Sequence, residues 1–404
     1  MLHFEGSSLF RHHLVCSILS KKPVTLTHLH DAAAMDYDSI DAHHPAASGI
    51  QDYEVNFLKF LTRVTSGSRM QLQQNNTSLV FEPGMILGGS FVHEVPTSRS
   101  VTYVIEAALL LLPFAKYDSK ITFVGATQGR EGDLDLSPDT LRTVTARWMQ
   151  LFGVQCGIRL VRRGAAPGGG GAVELTVRAV RRLTSAVAKE RGRVRRVRGI
   201  AYACRTAGDL PQRAATAAKG VLLQLLPDVY VVTDMDRGEA ARRVIHQQLS
   251  RGEHSTSGGE DADALGKNEL YSISGYGVLL VAETTSNSCV LSQEAEAGPH
   301  EPPEEVGARA ARLLLDQLYE GGCADSHHQL LLLLLMALAP DEVNTIRFGS
   351  LTSSAASAFV LMEHYFSVRT AVKEEESFAG EELPPSTLVT CLGSNMVNVW
   401  KKSS

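Results

Sequence analysis

The chain has 404 residues, more than a single-core domain usually holds, so its length points to a repeat-built body or to two domains. Hydrophobic residues at 44% and charged residues at 21% are ordinary for a soluble globular protein, while aromatic residues at 6% speak against a stacking platform for RNA. With 39 basic against 44 acidic residues and a net charge of -5, any affinity for nucleic acid has to come from a local patch.

Taken in chain order, the periodicity repeats one unit: a strand, a helix, a strand, a second helix, then a hairpin of two strands. The fold class expected is therefore α/β (α+β), with three such units in one body. The first unit, 1–86, holds a helix over 10–21, a strand over 24–29, and a helix over 52–64 that Gly67 breaks. A hairpin of 70–72 with 79–81 closes it. The second, 87–177, opens after Gly88 and Gly89 with a helix over 101–112 stopped by Pro113, then a strand over 121–124. A helix begins at Ser137 and Pro138, proline being a favoured first helical residue, and ends near Phe152 and Gly153. Strands over 158–161 and 173–177 flank the glycine loop 168–171.

The third unit is interrupted. Residues 178–274 hold a basic stretch and a separate strand, helix and strand over 199–204, 211–226 and 229–233, which reads as a small inserted α/β domain. Its tail, 237–269, is polar and rich in Gly and Ser toward its middle, the composition of a mobile loop. Residues 275–404 then resume the third unit with a strand over 277–282, helices over 303–319 and 328–339, and elements over 345–348, 355–366 and 368–372. The longest apolar run, 330–339, is half of the ~20 residues that span a membrane and stops at Pro340, so it reads as a buried helix and no membrane span is expected. Glu5, after Phe4, and Arg11 to His13 interrupt any apolar core of a secretory signal.

Six scattered cysteines without a CxxC pair favour neither a disulfide framework nor a zinc cluster, and fit a reducing compartment. The pairs His12-His13, His43-His44 and His327-His328 have poor ligand spacing, because adjacent helical residues point apart; a surface or capping role is expected, and no metal. The glycines at 168–171 are followed by a strand and not by Lys-Ser/Thr, so they read as a hairpin turn rather than a phosphate loop. The basic stretch 178–198 is the better candidate. Arg193, Arg195, Arg196 and Arg198 can neutralise phosphates of an RNA or dock an acidic partner segment while the intervening valines face inward; the other reading is a strand edge protected by charge.

Several motifs fall in one order along nearly the whole chain: Phe4-Glu5-Gly6-Ser7 with Phe10-Arg11, Gln51-Asp52-Tyr53-Glu54, Pro83-Gly84 with Gly88-Gly89, the loop 167–171, and the stretch 275–283. Together they resemble the RNA 3'-terminal phosphate cyclase superfamily. Gly322-Cys323-Ala324-Asp325-Ser326 and Met336-Ala337-Leu338 resemble its cyclase-like branch. True cyclases attack ATP with a histidine in a His-x-x-Thr-Asn motif that opens a helix. Imidazole suits that step, being partly neutral near pH 7 and able to bond to phosphorus. The matching stretch here is Ser354-Ala355-Ala356-Ser357-Ala358, and a shift of register restores nothing, because no histidine occurs over 349–363. A serine hydroxyl without a base is a poor substitute, so no catalytic residue is expected. The family's Gly-Glu-Gly-Gly-Gly-Gln is reduced to Glu5-Gly6-Ser7-Ser8-Leu9-Phe10, which costs the backbone its freedom to approach phosphate. Glu5 and Arg11 remain, either as phosphate-binding residues or as an ion pair or hydrogen bond closing the first strand-helix turn.

The resemblance further implies three repeats similar to the C-terminal domain of bacterial translation initiation factor three, with an inserted domain. It implies no cofactor and a non-catalytic role in the nucleus and nucleolus: early pre-18S rRNA processing in the small-subunit processome, with pre-rRNA, processome proteins and a BMS-type GTPase as partners. The rival reading is an RNA-processing enzyme with residual endonuclease activity. No carboxylate cluster for a divalent metal stands out to support it.

Overall fold

The computed structural model describes residues 1–31, 49–73, 76–129, 135–166, 168–204, 209–236, 275–286, 288–298, 300–375 and 384–401. The loop expected over 237–269 lies outside the described residues, as do His43 and His44.

Leu2–Glu5 (β1), whose residues alternate between partial burial and exposure, pairs in parallel with Val24–Thr27 (β2). Between them runs Phe10–Ser20 (α1), and Asp52–Val64 (α2) follows. A reciprocal cap starts α2: the Gln51 side chain accepts from the Glu54 N–H, and the Gln51 N–H donates to the Glu54 carboxylate at 2.9 Å. Phe57, Phe60, Leu61 and Val64, on one face of α2, are fully buried. Each such side chain contributes roughly 1.5–3 kcal/mol by leaving water. Thr65–Ser66 (β3) and Met85–Ile86 (β6) form a two-stranded ribbon. Arg69–Gln73 (β4) and Ser78–Glu82 (β5) form the expected hairpin, and β5 pairs antiparallel with β2.

The second sheet repeats that succession. Ser90–Glu94 (β7) pairs in parallel with Ser119–Gly125 (β8) across Thr102–Leu111 (α3), a helix buried on all sides and stopped at Pro113. Ser137 caps Pro138–Thr140 (α4) by accepting from the Thr140 N–H; a π turn over Leu141–Thr145 and then Ala146–Leu151 (α5) carry the helix on. Cys156–Arg162 (β9) and Gly171–Val177 (β10) pair antiparallel around the glycine turn, and β10 joins β8.

Strand pairing after residue 178 crosses the expected division at 274 and 275. Val187–Ala188 (β11), a short strand within 178–274, pairs in parallel with Val343–Phe348 (β16), and its sheet is completed by Thr370–Glu375 (β17) and Ser386–Leu392 (β18). Val194–Cys204 (β12) lies between Val229–Asp236 (β13) in parallel and Gly275–Thr284 (β14) in antiparallel register, and β14 pairs with Val290–Glu296 (β15). The strand expected to resume the third unit, β14, is thus bonded into the sheet of β12. An apolar run such as 277–282 announces a buried strand but not its partner. Leu210–Leu222 (α6) and Pro303–Glu320 (α7) cover this fourth sheet. They touch at Gly307, where a Cβ would stand 2.1 Å from the Ala214 carbonyl oxygen, so only glycine allows that approach. Single bridges from Ala324 to Val290 and to Phe348 join the third and fourth sheets.

Gln329–Leu338 (α8) is the apolar run 330–339, largely buried, as expected. Among the described residues no helix is long and apolar enough to cross a membrane. Ser353–Phe366 (α9) starts where the Thr352 hydroxyl accepts from the Ala355 N–H and ends at Ser367 in the left-handed region.

Candidate functional site

The start of α1, the start of α2, α3, the π turn, the segment before α8 and the start of α9 converge on a cavity of about 570 Å³. Arg11 and Ser354, from opposite ends of the chain, both line it. Leu9, in the wall, holds φ 54°, a left-handed conformation that a glycine takes freely and that costs other residues roughly 1–2 kcal/mol.

The arginines of the wall are neutralised by carboxylates. Arg11 pairs with Glu106, donates to the Tyr103 carbonyl at 2.7 Å, and lies 3.6 Å from Asp135. Arg99 donates from Nε to Asp135 at 2.6 Å and from Nη2 at 3.3 Å. Both guanidinium groups lean on aromatic rings, Arg11 at 4.6 Å from the Tyr103 centroid and Arg99 at 5.0 Å from Tyr103 and 5.1 Å from Tyr53. Burial raises the Glu106 carboxyl above its ordinary value against the pull of Arg11, and burial pushes the Tyr53 hydroxyl up to about 12. Glu54, at the same wall, holds His30 at 3.0 Å. A phosphate entering here meets cations whose charge is already balanced.

Ser354 Oγ stands 3.0 Å from the Thr352 hydroxyl, and among the described residues no imidazole or carboxylate bonds to it. Activation of a hydroxyl nucleophile calls for such a base.

Deeper in the wall, His328 Nδ1 bonds Asp325 at 2.6 Å and Nε2 bonds the Thr145 hydroxyl at 2.8 Å. Asp325 also accepts from the Ser292 N–H at 2.9 Å and its hydroxyl at 2.8 Å. Burial works against charge on both partners, but the facing charge and the hydrogen bonds prevail: His328 is raised and Asp325 is lowered. The order Asp325, His328, Thr145 has the outline of a nucleophile triad. The raised His328 favours the imidazolium, which donates from both nitrogens and cannot take the Thr145 proton, so in that form the trio is a buried ion pair with a hydroxyl partner.

The placement of the other expected residues is mixed. Glu5 is exposed at the end of β1 and does not line the cavity, and the carboxylates that pair with Arg11 are Glu106 and Asp135. An Arg11–Glu5 bond closing the first turn is therefore not formed. On β12, Arg196 is held by Glu283 at 2.7 Å and Arg198 by Asp228 at 2.8 and 3.0 Å, whereas Arg193 and Arg195 are exposed. Val197 between them is fully buried. Of the histidine pairs, His327 is exposed as expected, and three members depart from the surface role. His12, His13 and His328 are buried, because α1 packs against α2, α3 and α9, and His328 closes against Asp325. Burial lowers His13 to about 4. Arg99, Tyr103, Glu106 and Asp135 escaped the sequence reading, whereas Tyr53 and Glu54 on the wall, and Asp325 behind it, lie within the motifs quoted from the sequence. Among the described residues no group of three His, Cys, Asp or Glu side chains is placed to hold a metal ion.

Comparison with known proteins places this geometry. A profile of the RNA 3'-terminal phosphate cyclase family matches residues 2–372. The probable RNA 3'-terminal phosphate cyclase-like protein of Dictyostelium discoideum is 32% identical over all of both chains. The RNA 3'-terminal phosphate cyclase-like protein of Homo sapiens and the rRNA processing protein rcl1 of Schizosaccharomyces pombe are each 31% identical, over 99% of this chain and 97% of theirs. With a family match over most of its length and relatives that run its full extent, the chain belongs to the RNA 3'-terminal phosphate cyclase family, among its cyclase-like proteins.

Proposed function

We infer that this chain is a non-catalytic ribosome-biogenesis factor serving early pre-18S rRNA processing within the small-subunit processome. The observation that carries the reading is Ser354: it stands at the start of α9 on the cavity wall, with only a hydroxyl as partner where the cyclases resembled have their histidine. The neutralised Arg11 and Arg99 support it, and so does the similarity to an rRNA processing protein. A nucleolar location and binding to a BMS-type GTPase belong to the same reading. So does the division into three repeated units with an insert, supported by the one parallel and two antiparallel pairings that recur in the sheets of β1, β7 and β11, with β14, paired to β12, counted in the insert. No described cluster of metal ligands favours the endonuclease alternative.

The test is complementation. In cells depleted of their own cyclase-like protein, this chain should restore 18S rRNA, and Ser354→Ala should restore it equally. Rescue by the parent but not by Ser354→Ala would show that the hydroxyl does chemistry. Failure of the parent to rescue would count against the rRNA-processing role.

A further inference from the structure

Three segments distant in the sequence meet at one surface: 113–118 after α3, 178–182 after β10, and 398–401. The Asn398 N–H donates to the Arg181 carbonyl at 2.9 Å, and its side-chain amide donates to the Ala115 carbonyl at 2.8 Å. The Val180 N–H donates to the Pro113 carbonyl at 2.8 Å, and the Ala179 N–H to the Asp118 carboxylate at 3.0 Å. Lys401 lies 3.3 Å from the same carboxylate.

This scaffold presents flat rings and positive charge together. Trp400 is 51% exposed and Tyr117 56%. The Lys116 ammonium approaches both, 5.2 Å from the Tyr117 centroid and 5.9 Å from that of Trp400. Arg178, Arg181 and Arg182 are exposed on the middle segment, and Asp118 is the sole acid in all three. A groove of about 300 Å³ reaches from Trp400 to Lys21 over the apolar side chains of Phe114 and Met396. A second hollow of about 440 Å³ adjoins Asp118 and Arg178.

Charge alone suits any polyanion, but the rings narrow the choice. A duplex offers phosphates while its base faces stay stacked on one another. An acidic peptide offers carboxylates and no flat partner. A single strand offers both phosphates and free base faces, and stacking on an aromatic side chain is sequence-tolerant. We propose that this surface binds single-stranded RNA, with a base stacked on Trp400 and flanking phosphates on Lys116 and Arg178. It deepens the rRNA-processing reading by adding a contact surface apart from β12.

The test is fluorescence anisotropy of a labelled oligouridylate titrated with the full chain at several salt concentrations. Trp400→Ala should weaken binding by about 10- to 100-fold at unchanged salt slope, the range that loss of one stacked base gives, and Trp400→Phe should recover most of it. Half-exposed Trp400 leaves the melting temperature unchanged, which serves as the folding control. The double variant Lys116→Gln, Arg178→Gln should flatten the slope of log affinity against log salt by about 1.4 units, at roughly 0.7 per lost contact.

The proposal is overturned if the parent does not bind oligouridylate, or if it binds and both variants bind alike. Competition by duplex RNA or polyglutamate as strong as by the single strand, with Trp400→Ala silent, overturns it too, and the polyglutamate result would assign the surface to an acidic protein. An Arg193→Gln, Arg195→Gln variant measured alongside separates this surface from the β12 strand: loss there alone sinks this proposal and leaves the rRNA-processing reading, which rests on the complementation test, untouched.

Discussion

The cavity wall and strand β12 carry arginines of one chemical kind, and their neighbours decide what each can do. In the wall, Arg11 and Arg99 face Glu106 and Asp135 out of water, and their charge is cancelled where it stands. On β12, Glu283 and Asp228 cancel Arg196 and Arg198, while Arg193 and Arg195 stay open to solvent. Positive charge counted along a sequence is therefore an upper bound on the charge a phosphate can meet. The surface around Trp400 makes the same point from the other side, since there the cations far outnumber the acid.

The comparison breaks most readily at its most buried pair. Asp325→Ala leaves His328 without its partner and should cost about 3–5 kcal/mol in denaturant unfolding. An unchanged midpoint would show that the pair is not formed. The pH dependence has a definite sign. His328, raised when folded, contributes stability fully below its unfolded value near 6.5 and loses it as pH rises through the higher folded value. Asp325, lowered when folded, contributes above its unfolded value near 4 and loses that as pH falls through the lower folded value. The deficit of Asp325→Ala should thus be largest between about pH 4 and 6.5 and shrink on both sides.

Next in size is Arg11→Gln, which leaves Glu106 buried without its cation and should cost about 2–3 kcal/mol. The loss should grow with rising pH, because the carboxyl, already raised by burial, must then ionise unassisted. A loss independent of pH would mean that Arg11 acts by packing over Tyr103 and not by charge.

The smallest effect separates Arg193 and Arg195, at the entry to β12, from Arg196 and Arg198 after them. Arg193→Gln with Arg195→Gln should flatten the salt dependence of RNA binding by roughly 0.7 unit per lost contact. Arg196→Gln with Arg198→Gln should leave it nearly unchanged, since those charges already face carboxylates. Equal slopes for the two variants would contradict the division.

Much of this architecture was legible in the sequence. Helix α2 lies within its expected bounds because Gln51, Glu54 and a strict apolar face mark it, and α3 ends at Leu111, one residue short of the expected 112, with a 3-10 turn carrying the chain through Pro113. Strand β15 gave no signal: its buried Ser292 and Gln293, on opposite faces, are polar, and they bond to Asp325 and Gln317. The pairing of β14 with β12 depends on a partner far along the chain, and no local pattern encodes that. The motifs did bring Arg11 and Ser354 to one wall. What they omitted was the carboxylates opposite, because Glu106 and Asp135 sit in stretches with no motif of their own, and only packing reveals that they oppose Arg11. Low overall aromatic content likewise hid Tyr117 and Trp400, which matter by meeting at one surface with Lys116 between them.

The cavity, on the function proposed, keeps the outline of a nucleotidyl-transfer site without its chemistry. This is tested most directly by incubating the purified chain with ATP radioactive in the α-phosphate, denaturing, and counting label on the protein, beside an active cyclase as control. The account predicts label on the control and none on this chain, because among the described residues no imidazole or carboxylate bonds to Ser354. An adenylate that stays with this chain after denaturation would contradict it.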